Sequence, residues 1–261
     1  LLYLTKYHLF GDDAGYDLLG AYGGLVYAVP VIGGLLADRY LGMRKAVVLG
    51  GVLLVLGHLG MAFEGEQARL VDGVVVRDDA ALQVFYLSLA LIIMGVGFLK
   101  PNISTIVGRL YPPGDPRMDS GFTIFYAGIN VGALFASLVC GFLGETYGWG
   151  WGFGAAGIGM IAGLVNFLCG QKYLMGHAEP RNPEKLRERV FGPLSREHLI
   201  YFLSIAGLFV IWALIQAHSL ILNIIPGFFE PTPVVLSMHL VSACLFGGIL
   251  WFMFKHCSKV E

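Results

Sequence analysis

Apolar residues in this chain gather into long runs set apart by short polar stretches. Seven runs, at about 18–37, 45–63, 82–108, 121–143, 152–173, 198–221 and 233–254, each reach the roughly 20 residues a helix needs to cross about 30 Å of hydrocarbon. The pattern therefore predicts an all-α, polytopic membrane protein. Residues 1–10 (LLYLTKYHLF) are too short to span and read as the last turns of a helix that begins before them. The stretch 174–197 (LMGHAEPRNPEKLRERVFGPLSRE) is the longest polar one and separates the first helices from the last two. Its basic residues alternate with Glu184, Glu188 and Glu197, which predicts a solvated linker with one amphipathic turn and not a nucleic-acid patch.

Composition narrows this further. Of the 261 residues 56% are hydrophobic and 13% charged, about half the charge a soluble domain uses to cover itself. Glycine is abundant, as expected where helices approach closely in lipid. Cys140, Cys169, Cys244 and Cys257 lie in or beside apolar runs without metal-ligand spacing, so they read as reduced packing residues. No basic region or cleavage site precedes Leu1, so no signal peptide is expected, and the chain reads as an internal piece of a longer one.

The basic residues orient the spans. With the loop at 11–17 outside, 13 Lys and Arg fall inside: Arg39, Arg44, Lys45, Arg109, Arg117, Lys172, Arg181, Lys185, Arg187, Arg189, Arg196, Lys255 and Lys259. Only Arg69 and Arg77 lie outside, among Asp12, Asp13, Asp17, Glu64, Glu66, Asp72, Asp78 and Asp79. The positive-inside rule then predicts a cytosolic C-terminus in the inner membrane.

Chemistry concentrates at few positions. In GGLLADRYLGMRKAVVLGG (33–51), Asp38 stands where one helix leaves the membrane, with Arg39, Arg44 and Lys45 crowding the turn. Such a group reads either as a charge latch that pairs in one global state and releases in another, or as a positive-inside turn with an incidental acid. Lys100 lies nine residues before Arg109, about 13.5 Å from that helix end at 1.5 Å per residue. The half-thickness of the hydrocarbon is about 15 Å, which places Lys100 near the midplane, too deep to snorkel. A cation there should face a wet cavity or a carboxylate, and Pro101 beside it frees a backbone carbonyl. Asn130 sits in a Gly-rich run (GINVG) and reads as a hydrogen-bonding group between packed helices. His58 reads as a packed histidine, while His8, His177, His198 and His256 lie near interfaces and make no metal set. The run GFGAAG at 152–157 opens a membrane helix with no strand before it, so it signals close packing and not a dinucleotide site. No nucleophile–base pair, metal cluster or phosphate loop is present, so an enzyme is not expected.

Two stretches carry a family resemblance. The run from Gly33 to Gly57, with G-x-L-A-D-R-x-x-G-x-R-K at its head, resembles the signature loop of the major facilitator superfamily and the first signature of the proton-dependent oligopeptide transporters. FTIFYAGINVGAL at 122–134, built around Asn130 and Gly132, resembles that family's other signature. The resemblance implies an N-terminal six-helix bundle over 1–173 with an incomplete first helix, a cytosolic linker at 174–197 and two added helices over 198–261. It implies proton-coupled symport of di- and tripeptides by alternating access, with protons as the coupling ion and no cofactor. Lys100 matches the lysine tied to substrate carboxylate and proton coupling. Tyr27 matches a pocket tyrosine by its spacing before Asp38, and Asn130 a pocket amide, while Asp38, Arg39 and Arg44 match the cytosolic gate. Gly20 stands where animal members carry a histidine, which speaks against a relay on that helix. The family's E-x-x-E-R-F motif would lie before Leu1 and the second half of the pocket after Glu261, so the chain is expected to need a C-terminal half to transport. Other facilitator solutes such as nitrate, drugs or sugars, and a sensor or assembly subunit that keeps the fold without flux, are the alternatives.

Overall fold

A computed structural model describes residues 1–180, 182–191 and 194–217. Among these, six helices are long and apolar enough to cross a membrane. The expected span at 233–254 lies outside the described residues.

The chain opens with a π turn at Tyr3–Tyr7, followed by α1 (Asp12–Leu36), which carries Asp12 and Asp13 where the helix dipole favours negative charge. A second π turn, Ala37–Leu41, extends α1 to Gly42, whose φ of 78° releases the chain into α2 (Met43–Met61). Two short strands follow, β1 (Arg69–Val71) and β2 (Val74–Val76), paired antiparallel with Leu70 opposite Val75. Asp72 and Gly73 between them both have positive φ, as a type I′ hairpin turn requires. This hairpin was not among the sequence expectations, although Asp-Gly between apolar runs is its ordinary signal.

Helix α3 (Asp79–Arg109) starts at Asp78, whose carboxylate accepts from the Ala81 amide. That bond and one from the Glu66 amide hold Asp78 below the usual carboxylate range. Helix α4 (Arg117–Tyr147) follows a loop in which Asp115 accepts from the Arg117 amide and guanidinium, which hold it at about 2. Gly148, at φ 120°, turns the chain into α5 (Trp149–Gly170), whose first amides are met by the Glu64 carboxylate at Gly150.

Helices α2 and α3 form the centre. A Cβ on Gly50 would lie 2.6 Å from the Gly95 carbonyl and the Leu99 amide, and one on Gly57 2.6 Å from Ile92. Their backbones meet because these positions carry no side chain. The GFGAAG run lies within α5, where a Cβ on Gly152 would come within 2.5 Å of the Cys140 carbonyl of α4. It is a packing face.

Between α5 and α7 (Arg196–Gln216) the linker holds a 3-10 turn (Gln171–Leu174), α6 (Pro183–Arg187), β3 (Arg189–Phe191) and β4 (Leu194–Ser195). The expected amphipathic turn is α6, with Leu186 2% exposed in the core. The linker is less solvated than its charge suggests: Ala178 is buried against Met43, Val47 and Ile106. Helix α7 packs on α3, so Leu1–Gln216 forms one compact unit.

Candidate functional site

The helices present two polar ends. One end gathers the 37–45 turn, the 110–116 loop and the linker, and is basic. The other gathers residues 1–11, the 62–78 loop and the α4–α5 joint, and is acidic.

Between the ends, α1 and α3 cross where Pro101 interrupts the backbone ladder. Proline donates no amide, so the Gly97 carbonyl loses its helical partner. Gly33 of α1 sits directly against that carbonyl, at a distance no Cβ could tolerate. Helix α3 nonetheless continues through Pro101, and the Pro101 carbonyl accepts from Thr105 Oγ1 at 2.8 Å. The freed carbonyl therefore becomes a helix crossing.

That crossing brings Tyr27 beside Lys100. The Lys100 ammonium lies 4.7 Å from the centroid of the Tyr27 ring, which is 74% exposed. Lys100 has no carboxylate partner among the described residues. An aromatic face is worth about 0.5–2 kcal/mol to a cation, less than a desolvated carboxylate offers. The pair thus holds a positive charge available to an anionic group. Tyr22, five residues before Tyr27 on the same helix, is half-buried and packs against the core.

Asn130 lies on α4, exposed, and donates Nδ2 to the Tyr126 carbonyl one turn back at 2.8 Å. Among the described residues it makes no hydrogen bond to another helix, and Gly128 and Gly132 have nothing packed against them. Helix α4 meets α3 near its start, at Gly108 against Phe122, and α5 near its end, at Gly144 against Trp149. Asn130 stands between these contacts, on a helix whose middle is open.

At the basic end the charges pair differently from the sequence expectation. Asp38 Oδ1 lies 3.8 Å from Arg109 Nη2, at the end of α3, and not against Arg39 or Arg44. Arg39 is exposed, without an ion pair among the described residues. Arg44 forks onto Glu179 at 2.5 and 3.2 Å and reaches Gln171 at 3.2 Å, while its amide donates to the Ala178 carbonyl. Lys45 pairs with Glu197 at 2.5 Å, and Arg196 lies over the Tyr40 ring. Arg109, Glu179 and Glu197 are thus partners that sequence reasoning missed. They come from 71 to 152 residues away in the chain, a separation no local pattern bridges.

The linker is therefore a strap across the 37–45 turn. Replacing Glu179 and Glu197 together by glutamine should loosen it, removing two ion pairs worth about 1 kcal/mol each, so an opening about thirtyfold more frequent. Trypsin cleavage at Lys185 and Arg187 in detergent, timed against the unaltered protein, checks this; equal rates would count against the strap.

Comparison with known proteins adds the family. Residues 44–194 match the model of the POT family. The chain is 40% identical over 195 residues to the uncharacterized transporter YclF of Bacillus subtilis, covering 72% of this chain and 37% of that one. It is 36% identical over 225 residues to a di-/tripeptide transporter of Lactococcus lactis, covering 80% and 42%. Among solved structures, a mutant of the peptide transporter POT bound to alafosfalin is 38% identical with a TM-score of 0.59, covering 80% and 38%. The chain spans less than half the length of these relatives. With both signature stretches on the helices described, this multi-pass membrane protein belongs to the POT family.

Proposed function

We propose that the full-length protein is a proton-coupled symporter of di- and tripeptides, working by alternating access in the inner membrane. The observation that carries this reading is the unpaired Lys100 ammonium over Tyr27, deep in a span and on an open face. A peptide presents a carboxylate at one end, and Lys100 is the group that would receive it. Tyr27 forms the adjoining wall, and Asn130 on the open middle of α4 offers an amide to the peptide backbone. A lysine that trades a carboxylate for the substrate's can couple proton and peptide, since each favours a different charge at the site.

The basic end would face the cytosol, by the positive-inside rule. Asp38 with Arg109 would then be the cytosolic latch, with Arg39 and Arg44 flanking it, and Arg44 engaged by the strap. The second wall of the pocket would come from a C-terminal half, as the length of the relatives supports. Protons are the coupling ion and no cofactor or catalytic group is invoked. The names of the Lactococcus relative and the alafosfalin-bound structure support a peptide-like solute.

Uptake of labelled dialanine into liposomes holding the full-length protein, driven by an inward proton gradient, is the direct test. Accumulation that collapses with an uncoupler is expected, and competition by tripeptide but not by nitrate or sugar. Absence of dialanine uptake would remove the peptide reading.

A further inference from the structure

We propose that His8 is a proton-operated release at the acidic end, seated only while its imidazole is neutral. The side chain is fully buried, and neither ring nitrogen has a hydrogen-bond partner. Aromatic rings enclose it: Tyr3 edge-on at 4.8 Å, Tyr7 at 5.4 Å, Phe85 at 5.9 Å and Phe10 at 6.4 Å.

The ring is held there by its backbone. Arg77 donates to the His8 carbonyl at 2.7 Å and to the Leu9 carbonyl at 3.0 Å, and its guanidinium covers the Phe10 ring. The Ala68 amide donates to the Tyr7 carbonyl and the Tyr7 hydroxyl to the Gly65 carbonyl. Leu9, just past the histidine, is forced to a φ of 50°, uncommon for a branched side chain. A short segment thus carries a backbone strain and an unsatisfied polar ring, and the surrounding ties keep both in place.

Among the described residues, no carboxylate is free to pair with an imidazolium here. From the 62–78 loop, the Arg77 guanidinium repels it. The Asp78 carboxylate would attract it but is committed to the Ala81 and Glu66 amides, and Glu64 is committed to Gly150. Lys6 on the same turn is paired with Glu145. Tyr3 and Tyr7 face the ring as phenols and offer it no negative charge. Burial first, and then Arg77, lower the proton affinity of His8 below that of a free imidazole.

The sign follows from that lowered affinity. Seating is fully favourable above the free-imidazole pKa of about 6.5 and is lost as pH falls below it, because the released ring binds the proton that the seated ring refuses. Between pH 7.5 and 5.5 the released population should rise, by at most about tenfold, the limit set by the free imidazole. Release would also loosen α5, since Trp149 packs tilted and Phe153 edge-on against Tyr3 at 5.8 and 5.2 Å. In the orientation proposed above, the acidic end faces outside, so external acid would open it. The device itself requires no transport.

Hydrogen–deuterium exchange of residues 1–10 in the full-length protein in nanodiscs, at pH 7.5 and 5.5 and corrected for intrinsic rates, tests it. The unaltered protein should show several-fold more opening at the lower pH, up to about tenfold. His8→Phe and His8→Leu, which fill the cage without a titratable group, should show less than about twofold. A flat profile in the unaltered protein overturns the proposal, and so does an equal rise in the variants. Should neither variant fold, the unaltered profile decides alone: a rise centred in the histidine range supports it and a flat one overturns it.

Discussion

Replacing Lys100 by alanine is expected to lower proton-driven dialanine uptake by about 100-fold or more, while the protein remains folded. Truncating one partner of a desolvated charge pair costs about 2–5 kcal/mol, and roughly 3 kcal/mol corresponds to that factor. Folding should survive because Lys100 is exposed on the open face and its one aromatic contact, to Tyr27, supports no core residue. Tyr27→Leu should weaken uptake less, since it removes a wall and a cation–π contact worth about 0.5–2 kcal/mol and leaves the charge. Uptake in liposomes, with size-exclusion profiles of each variant, separates these outcomes. Full uptake by Lys100→Ala would displace the lysine from the mechanism, and unaltered substrate binding without flux in either protein would favour a sensor.

Gly50→Val is expected to abolish recovery of monodisperse protein. Position 50 faces the Gly95 carbonyl and the Leu99 backbone, so the first carbon added would lie 2.6 Å from two main-chain atoms. Neither can step aside as the tip of a flexible side chain would. The reciprocal contact is equally tight, with Gly95 against Leu54 and the Gly50 carbonyl. Overpacking a close helix pair costs about 1–3 kcal/mol when side chains can shift, and more when only backbone is available to move. Because α2–α3 is the central pair, its separation loosens α1 and α5 as well. Gly20→Val, at a position with nothing within 4 Å, is the control and should express normally. A folded Gly50→Val protein would show that the pair can spread without loss.

The spans at 18–37 through 152–173 could be read directly, because in hydrocarbon a helix must satisfy its own backbone and keep an apolar surface, and both demands are local. The place of Lys100 within α3 was legible for the same reason: it follows from residue count along one helix. Tyr27 was named only through a family match, since nothing local tells an open-face tyrosine from the half-buried Tyr22. The charge pairing at the 37–45 turn was half legible. Charge crowding pointed to Asp38, but the expected partners Arg39 and Arg44 turn elsewhere, and Arg109 meets Asp38 from the end of α3. The hairpin at 69–76 was legible in Asp72-Gly73 and was passed over as an acidic loop.

By itself, then, the sequence determined the membrane class, the number of helices over the described residues and the place of one cation along its helix, each a property of a single helix and its solvent. The tertiary structure alone decided who meets whom. Gly33 against the carbonyl freed by Pro101 sets the α1–α3 crossing that lays Tyr27 beneath Lys100. Glu179 and Glu197, more than 130 residues from Arg44 and Lys45, take up the cations of the turn. His8, in the sequence one of four histidines near interfaces, is a buried ring without a partner among the described residues only because Phe85 and the 62–78 loop close over it. Such contacts depend on helix phase and crossing angle summed over the whole bundle, which no stretch of sequence encodes separately.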